Sequence, residues 1–175
     1  VKTLQDMTQR IRFSPGPIIA APFQLTLGGG VELVQPAAHR IAAAETYMGL
    51  VEVGVGLIPG GGGNLRMILN AMEGGTGRMG AFQKIQKTFE TVGFAKIATS
   101  ADEAKHLGYL KKDDTVILNR DYLIQAAKDK AIELAQNYTP PTYRDDLKLP
   151  GAGGRTAMAM AVSYTHLRAH ETIHY

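Results

Sequence analysis

The chain has 175 residues, 45% of them hydrophobic and 20% charged, with a net charge of +3 and no cysteine. That length suits one sizeable core and argues against a second large domain, and the lack of cysteine excludes disulfides, thiol catalysis and thiolate metal sites. No apolar run approaches the roughly 20 residues of a membrane-spanning helix and no signal-peptide pattern opens the chain, so a soluble, cytoplasmic protein is expected.

Val1, Leu4, Met7 and Ile11 recur at helical spacing, which predicts the end of an amphipathic helix over 1–12, stopped by Ser14-Pro15-Gly16-Pro17. Ile18-Ile19-Ala20-Ala21 reads as a buried strand. Residues 24–27 then lead into Gly28-Gly29-Gly30, and a helix begins at Val31, a strand, glycine turn and helix of a layered α/β fold. Residues 40–43 read as another strand. Asn64 is placed to cap a helix over 65–72, and 74–80 reads as a glycine-rich linker. Phe82, Ile85, Phe89 and Val92 form a helical stripe expected to pack in the core. Ser100-Ala101-Asp102-Glu103 is a capping box opening a short helix that ends at Gly108. A longer helix is predicted over 120–137, stopped by Pro140-Pro141, and 141–155 reads as a linker before a helix start at 156–160.

The two glycine clusters invite nucleotide readings, and neither holds. Gly54-Val55-Gly56-Leu57-Ile58-Pro59 has Pro where a dinucleotide fingerprint needs its third Gly. Residues 56–63 lack the Lys-Ser/Thr pair of a phosphate-cradling P-loop. Lys84, Lys87, Lys96, Lys105, Lys111 and Lys112 are scattered without interleaved aromatics, so a solvated surface is expected and not a nucleic-acid interface.

Taken in order, three motifs resemble the enoyl-CoA hydratase/isomerase (crotonase) superfamily. They are Pro17-Ile18-Ile19-Ala20-Ala21, then Leu27-Gly28-Gly29-Gly30-Val31-Glu32-Leu33, then the run from Gly49-Leu50-Val51-Glu52 through Ile58-Pro59-Gly60 to Gly63. Residues 100–110 are similar to that family's later short helix. Within the superfamily, Ala21-Pro22-Phe23, Tyr47-Met48-Gly49-Leu50-Val51-Glu52 and residues 87–100 resemble the C-terminal hydratase part of bacterial 3-hydroxyacyl-CoA dehydrogenase fusions. In such fusions an NAD-binding dehydrogenase precedes the crotonase region. The stretch 74–90 is absent from compact crotonases, which supports the fused branch.

The resemblance implies an α/β, crotonase-like (ClpP/crotonase) fold, here partial, a layered β-β-α spiral with C-terminal helices. Residues 1–110 would be a partial hydratase core, 111–140 a helical extension, and 141–161 a linker and helix start. It implies acyl-CoA thioesters of fatty acid β-oxidation as substrates and addition of water to a trans-2-enoyl double bond. No metal and no cofactor are expected in this segment; NAD would serve the dehydrogenase part of a parent expected to be a homo-oligomer. Gly29 carries over as an oxyanion donor, because it lacks a side chain and opens a helix whose free N–H groups favour an anion. Glu32 and Glu52 carry over as catalytic carboxylates that divide acid and base work across one water. Gly28, Gly30, Pro59 and Gly60 carry over as substrate-binding positions. Both glutamates being present favours hydration; an isomerase or hydrolase of acyl-CoA is the rival, followed by a non-catalytic CoA-thioester-binding segment.

There are departures. The family's first oxyanion N–H and most CoA contacts would lie upstream of Val1, so the segment alone is expected to be inactive. Its sheet would lack neighbours, leaving a face under Ile18, Ile19 and Ile41 exposed. Pro36 should end or kink the Glu32 helix, and Ala38 stands where the family usually has Asp. Residues 162–175 change character, and Val162 to Thr172 resembles a translated sequencing adapter. A tail of that origin leaves His166, His170 and His174 without a metal role despite their i, i+4, i+8 spacing.

Overall fold

The computed structural model describes residues 1–73, 80–144 and 151–160. Strands β1 (Ile19–Ala20), β3 (His39–Ala43) and β5 (Thr115–Ile117) form one parallel sheet in the order β1-β3-β5. Strands β2 (Leu25–Leu27) and β4 (Tyr47–Gly49) pair in parallel in a second sheet. Parallel neighbours need a crossover, and the chain makes it by visiting both sheets in turn. It runs β1, β2, helix α2 (Gly29–Val34), then β3, β4 and helices α3 (Gly63–Glu73), α4 (Ala81–Gly93) and α5 (Ala101–Leu107), before returning to β5. This is the layered β-β-α spiral expected. It lies within one compact unit, Val1–Thr142, opened by α1 (Lys2–Arg12) and closed by α6 (Leu123–Ala135). In the second unit, Tyr143–Tyr175, a helix over 151–160 is described.

All five residues of β3 are buried, as covering a parallel strand on both faces demands. Ala42 faces the main core with Val31, Met48, Leu50, Met67, Ala98, Ala104 and Tyr109. Ile41 and Ala43 face the other way, onto Leu123 of α6 with Ala126 and Ala127 beside it. The expectation of an exposed face under Ile41 is therefore overturned: Ile41 is 2% exposed because α6 lies across β1 and β3, whereas Ile18 is 37% exposed. Burying β3 also takes Arg40 out of water, and a buried charge persists only with partners. Arg40 Nε donates to Asp114 Oδ2 at 2.7 Å, its N–H to Oδ1 at 3.1 Å, and Nη1 to the carbonyls of Gln35 and Ala37. Those carbonyls follow α2, which ends at Val34, as Pro36 requires. His39 is lowered in pKa by burial, with nearby Asp114 opposing, and its Nε2 lies 3.1 Å from Thr115 Oγ1.

Several local expectations are corrected by packing. The segment 111–140 holds α6 but also a strand, β5, which its short Thr-Val-Ile run did not announce. Of the α4 stripe, Ile85 and Val92 are buried while Phe82 and Phe89 are 37% and 39% exposed. Thr88 and Thr91 are buried instead, each hydroxyl donating to the carbonyl four residues back. Asn64 lies inside α3, which begins at Gly63, and its side chain donates to the Pro59 carbonyl instead of capping. Ser100 caps α5 as expected, accepting from Glu103 N–H at 3.1 Å, but Glu103 reaches back to Thr99, not Ser100. The helix expected to start at Thr156 is helical from residue 151. Linker residues 74–79 and 145–150, and the tail with its three histidines, lie outside the described residues.

Gln24 has a φ of +52°, in the left-handed region, with an exposed side chain. Its carbonyl is held there by Tyr47 N–H at 2.7 Å and Thr46 Oγ1 at 3.2 Å. A left-handed conformation costs an L-residue roughly 1–2 kcal/mol and glycine nothing. Gln24→Gly should therefore raise stability by about 1 kcal/mol, read as a higher denaturant midpoint with an unchanged slope. A lower midpoint would show that the side chain contributes more than its exposure indicates.

Candidate active site

Three segments meet around the turn from β2 into α2. Gly28 occupies that turn with a φ of +55°, and a Cβ there would lie 3.3 Å from Glu52 Oε1. A side chain at 28 would thus be strained in backbone and would crowd the carboxylate, so glycine is required twice over. Gly29 and Gly30 open α2, where N–H groups have no intrahelical acceptor. Neither donates to another described residue, and a Cβ on Gly29 would meet nothing within 4 Å. The Gly29 amide therefore stands without a described acceptor at the positive end of the helix.

Glu32 follows one turn later and is 3% exposed. An isolated Glu on a helix is usually solvated; this one is buried because backbone meets it. Its Oε1 accepts the N–H groups of Gly61 at 2.8 Å and Gly63 at 2.9 Å. A Cβ on Gly61 would fall 2.7 Å from Glu32 Oε2 and 2.8 Å from Leu4 Cδ2, so only glycine lets the loop approach. Helix α1 lies over the same loop: Gln5 Nε2 donates to Gly60 O at 2.8 Å and Thr8 Oγ1 to Gly61 O at 2.7 Å. Glu52 opens a 3-10 turn, Glu52–Val55, and is half-buried. Burial pushes its carboxyl pKa up, a backbone hydrogen bond opposes this, and the charge of Glu32 adds to the rise. Its Oε2 is buried without a hydrogen-bond partner. Pro59 is buried and Gly60 half-buried, and their carbonyls are taken by Asn64 and Gln5.

The structure thus brings Glu32, Glu52 and Gly28-Gly29 together. It supplies one carboxylate held by two amides, a second with a bare buried oxygen, and a helix-opening amide with no acceptor among the described residues. Such a set can hold water between two carboxylates and stabilise negative charge developing at the amide.

A sequence model of the enoyl-CoA hydratase/isomerase family matches residues 2–148. This chain belongs to that family. Over 174 residues it is 40% identical to a "Probable 3-hydroxyacyl-CoA dehydrogenase" of Bacillus subtilis (strain 168), covering 99% of this chain and 22% of that relative. Over 148 residues it is 32% identical to a "Probable enoyl-CoA hydratase" of the same organism, covering 83% of this chain and 50% of the relative. Among solved structures, an enoyl-CoA hydratase from Bacillus anthracis superposes with a TM-score of 0.58 at 28% identity, covering 78% of this chain and 46% of that one. One from Polaromonas sp. JS666 superposes at 0.59 and 22% identity, over 77% and 46%, and shares the fold. The fold is that of the crotonases, as expected, and the chain spans about a fifth to a half of these relatives' lengths. The 99% alignment runs into residues 162–175, the segment resembling an adapter.

Sequence reasoning missed the two backbone donors to Glu32. The signal was present in Gly60-Gly61-Gly62-Gly63, four glycines where one turn needs fewer, which marks a close backbone approach. The lysines, scattered along the sequence, are gathered in space. Lys84, Lys87, Lys105, Lys111 and Lys112 line one cleft of about 640 Å³ with Glu73 and Asp113, away from both glutamates. Among the described residues no group of three His, Cys, Asp or Glu is placed to hold a metal, and no helix is long and apolar enough to cross a membrane.

Proposed function

We propose that this chain is the hydratase part of a longer enzyme, adding water across trans-2-enoyl-CoA thioesters to give 3-hydroxyacyl-CoA. The observation that carries this reading is Glu32 and Glu52 flanking the Gly28-Gly29 turn, with Glu52 Oε1 against Gly28 and Glu32 held by the 61–63 loop. The Gly29 N–H faces the thioester oxygen, where enolate charge develops. Glu32, held in place by the two loop amides, takes the proton of the attacking water as the water oxygen bonds to C3. Glu52, with its raised pKa, gives a proton to C2. The new C–O and C–H bonds replace the double bond, and the carboxyls are reset by exchanging the proton between them.

Gly30, Pro59 and Gly60 would shape the pocket wall next to this turn, and the second oxyanion donor and CoA contacts would come from the rest of the longer protein. That protein would carry an NAD-dependent dehydrogenase acting on the 3-hydroxy product, in a cytoplasmic homo-oligomer of fatty acid β-oxidation. The name of the 40%-identical relative, matched over 22% of its length, supports this. The test is to give the longer protein crotonyl-CoA with and without NAD. Loss of enoyl-thioester absorbance, followed by NADH formation when NAD is present, is the expected result. Conversion of a 3-enoyl-CoA, or release of free CoA thiol, without any hydration would replace the reading with isomerase or hydrolase.

A further inference from the structure

We infer that Tyr109 is a positioning residue that ties the Gly28-Gly29 turn to the Glu52 segment through one peptide unit, the one joining Gly49 and Leu50. Tyr109 follows α5 and is 0% exposed in the main core. Its ring alone would fill that space; a phenylalanine would do as much. The hydroxyl brings a polar group into a place where it must be hydrogen-bonded, and it is. It donates to the Lys96 carbonyl at 2.6 Å and accepts the Leu50 N–H at 3.4 Å.

The other end of that same peptide unit is what gives the contact its reach. The Gly49 carbonyl accepts the Gly28 N–H at 2.8 Å. Gly28 precedes the Gly29 amide, and Leu50 stands two residues before Glu52. A chain of hydrogen bonds therefore runs from Gly28 N–H through the Gly49-Leu50 peptide and the Tyr109 hydroxyl to Lys96. Each bond in such a chain polarises the next. Lys96 is itself anchored, because Met48 and Ala98 exchange both backbone hydrogen bonds, at 3.0 and 2.7 Å. Burial first, with the charge of Glu52 adding, pushes the Tyr109 pKa up to about 12. The hydroxyl thus stays protonated and remains a donor throughout the working pH range. Without it, the Gly49-Leu50 peptide loses the hold at its N–H end and can tilt. Tilting moves the Gly28-Gly29 amides and Glu52 relative to each other.

Tyr109→Phe keeps the ring and its packing, so it tests the hydroxyl by itself. The kinetic arm rests on the hydratase reading above; the exchange arm does not. In the longer enzyme kcat for crotonyl-CoA should fall about tenfold while KM changes less than about twofold, since misplacement of catalytic groups alone can cost up to about a hundredfold. Water reaching a loosened Glu52 should also lower its raised pKa, moving the pH dependence of kcat/KM to lower pH. Hydrogen exchange should speed up together in the peptides containing Gly28 and Leu50. A lower melting temperature with kcat, the pH profile and exchange at Gly28 all unchanged would overturn the inference, leaving Tyr109 a packing residue. A wild-type enzyme with no hydratase activity would instead sink the functional reading. Exchange at Gly28 would then decide the inference alone.

Discussion

Replacing Asp114 by alanine should cost about 3–5 kcal/mol of unfolding free energy, the range for removing one partner of a buried ion pair. Arg40 is 2% exposed and Asp114 equally so, and the carboxylate takes three N–H donors. Those are Arg40 N–H, Arg40 Nε and Lys111 N–H, at 3.1, 2.7 and 2.6 Å. Alanine leaves all three unmet and strands a positive charge in the interior, between the end of α2 and β5. Domains are stable by only about 5–15 kcal/mol, so a loss of this size removes a large part of the total. The pair itself need not be stabilising compared with an apolar one. Arg40→Met combined with Asp114→Leu should recover only part of the loss: both charges leave together, but the Arg40 and Lys111 N–H groups still lack their acceptor. Denaturant titration of the wild type, the single variant and the double variant measures this. A single-variant loss below about 1 kcal/mol would mean that water reaches the pair.

Glu52→Gln in the longer enzyme should lower crotonyl-CoA hydration by at least about 100-fold, as should Glu32→Gln, the loss expected for a general acid or base. The two variants reach this by different routes. In Glu32→Gln the new amide can still accept the Gly61 and Gly63 N–H groups through its carbonyl oxygen, so the loop should hold while the base is gone. Glu52→Gln puts an amide where Glu52 Oε2 is buried without a partner. Turnover within about tenfold of wild type in either variant would remove the two-carboxylate mechanism. Stability gives a second, signed readout at Glu52. Its folded pKa lies above the unfolded value of 4.5, so the folded state binds this proton more tightly. The stability it contributes is therefore fully present below pH 4.5 and is lost as pH rises through the raised value. The glutamine variant does not titrate there, so the unfolding free energy of wild type minus variant should fall as pH rises through that window. A difference that grows with pH would place Glu52 in a site that favours its charge.

By itself the sequence located α1, α4, α5 and α6 and two of the five described strands, and it offered Glu32 and Glu52 as candidates. Each rests on local information. Apolar spacing marks α1 and α4, Ser100 and Glu103 mark the start of α5, and Gly28-Gly29-Gly30 followed by Glu32 is a contiguous motif whose geometry is set within one turn. Only the tertiary structure decided what Glu32 touches, because its donors at Gly61 and Gly63 are 29 and 31 residues away and reach it through the crossing of α1 and the glycine loop. It decided that Ile41 is covered, because α6 folds back over β3 from far along the chain, and no local pattern in either element names the other as its target. It likewise exposed Phe82 and Phe89, gathered five lysines around one cleft, and set the Tyr109 hydroxyl between Lys96 and Leu50. Periodicity reports which face of an element is apolar, whereas a hydrogen-bond partner or a covering helix depends on where distant segments come to rest, and that is settled by the packing of the whole core.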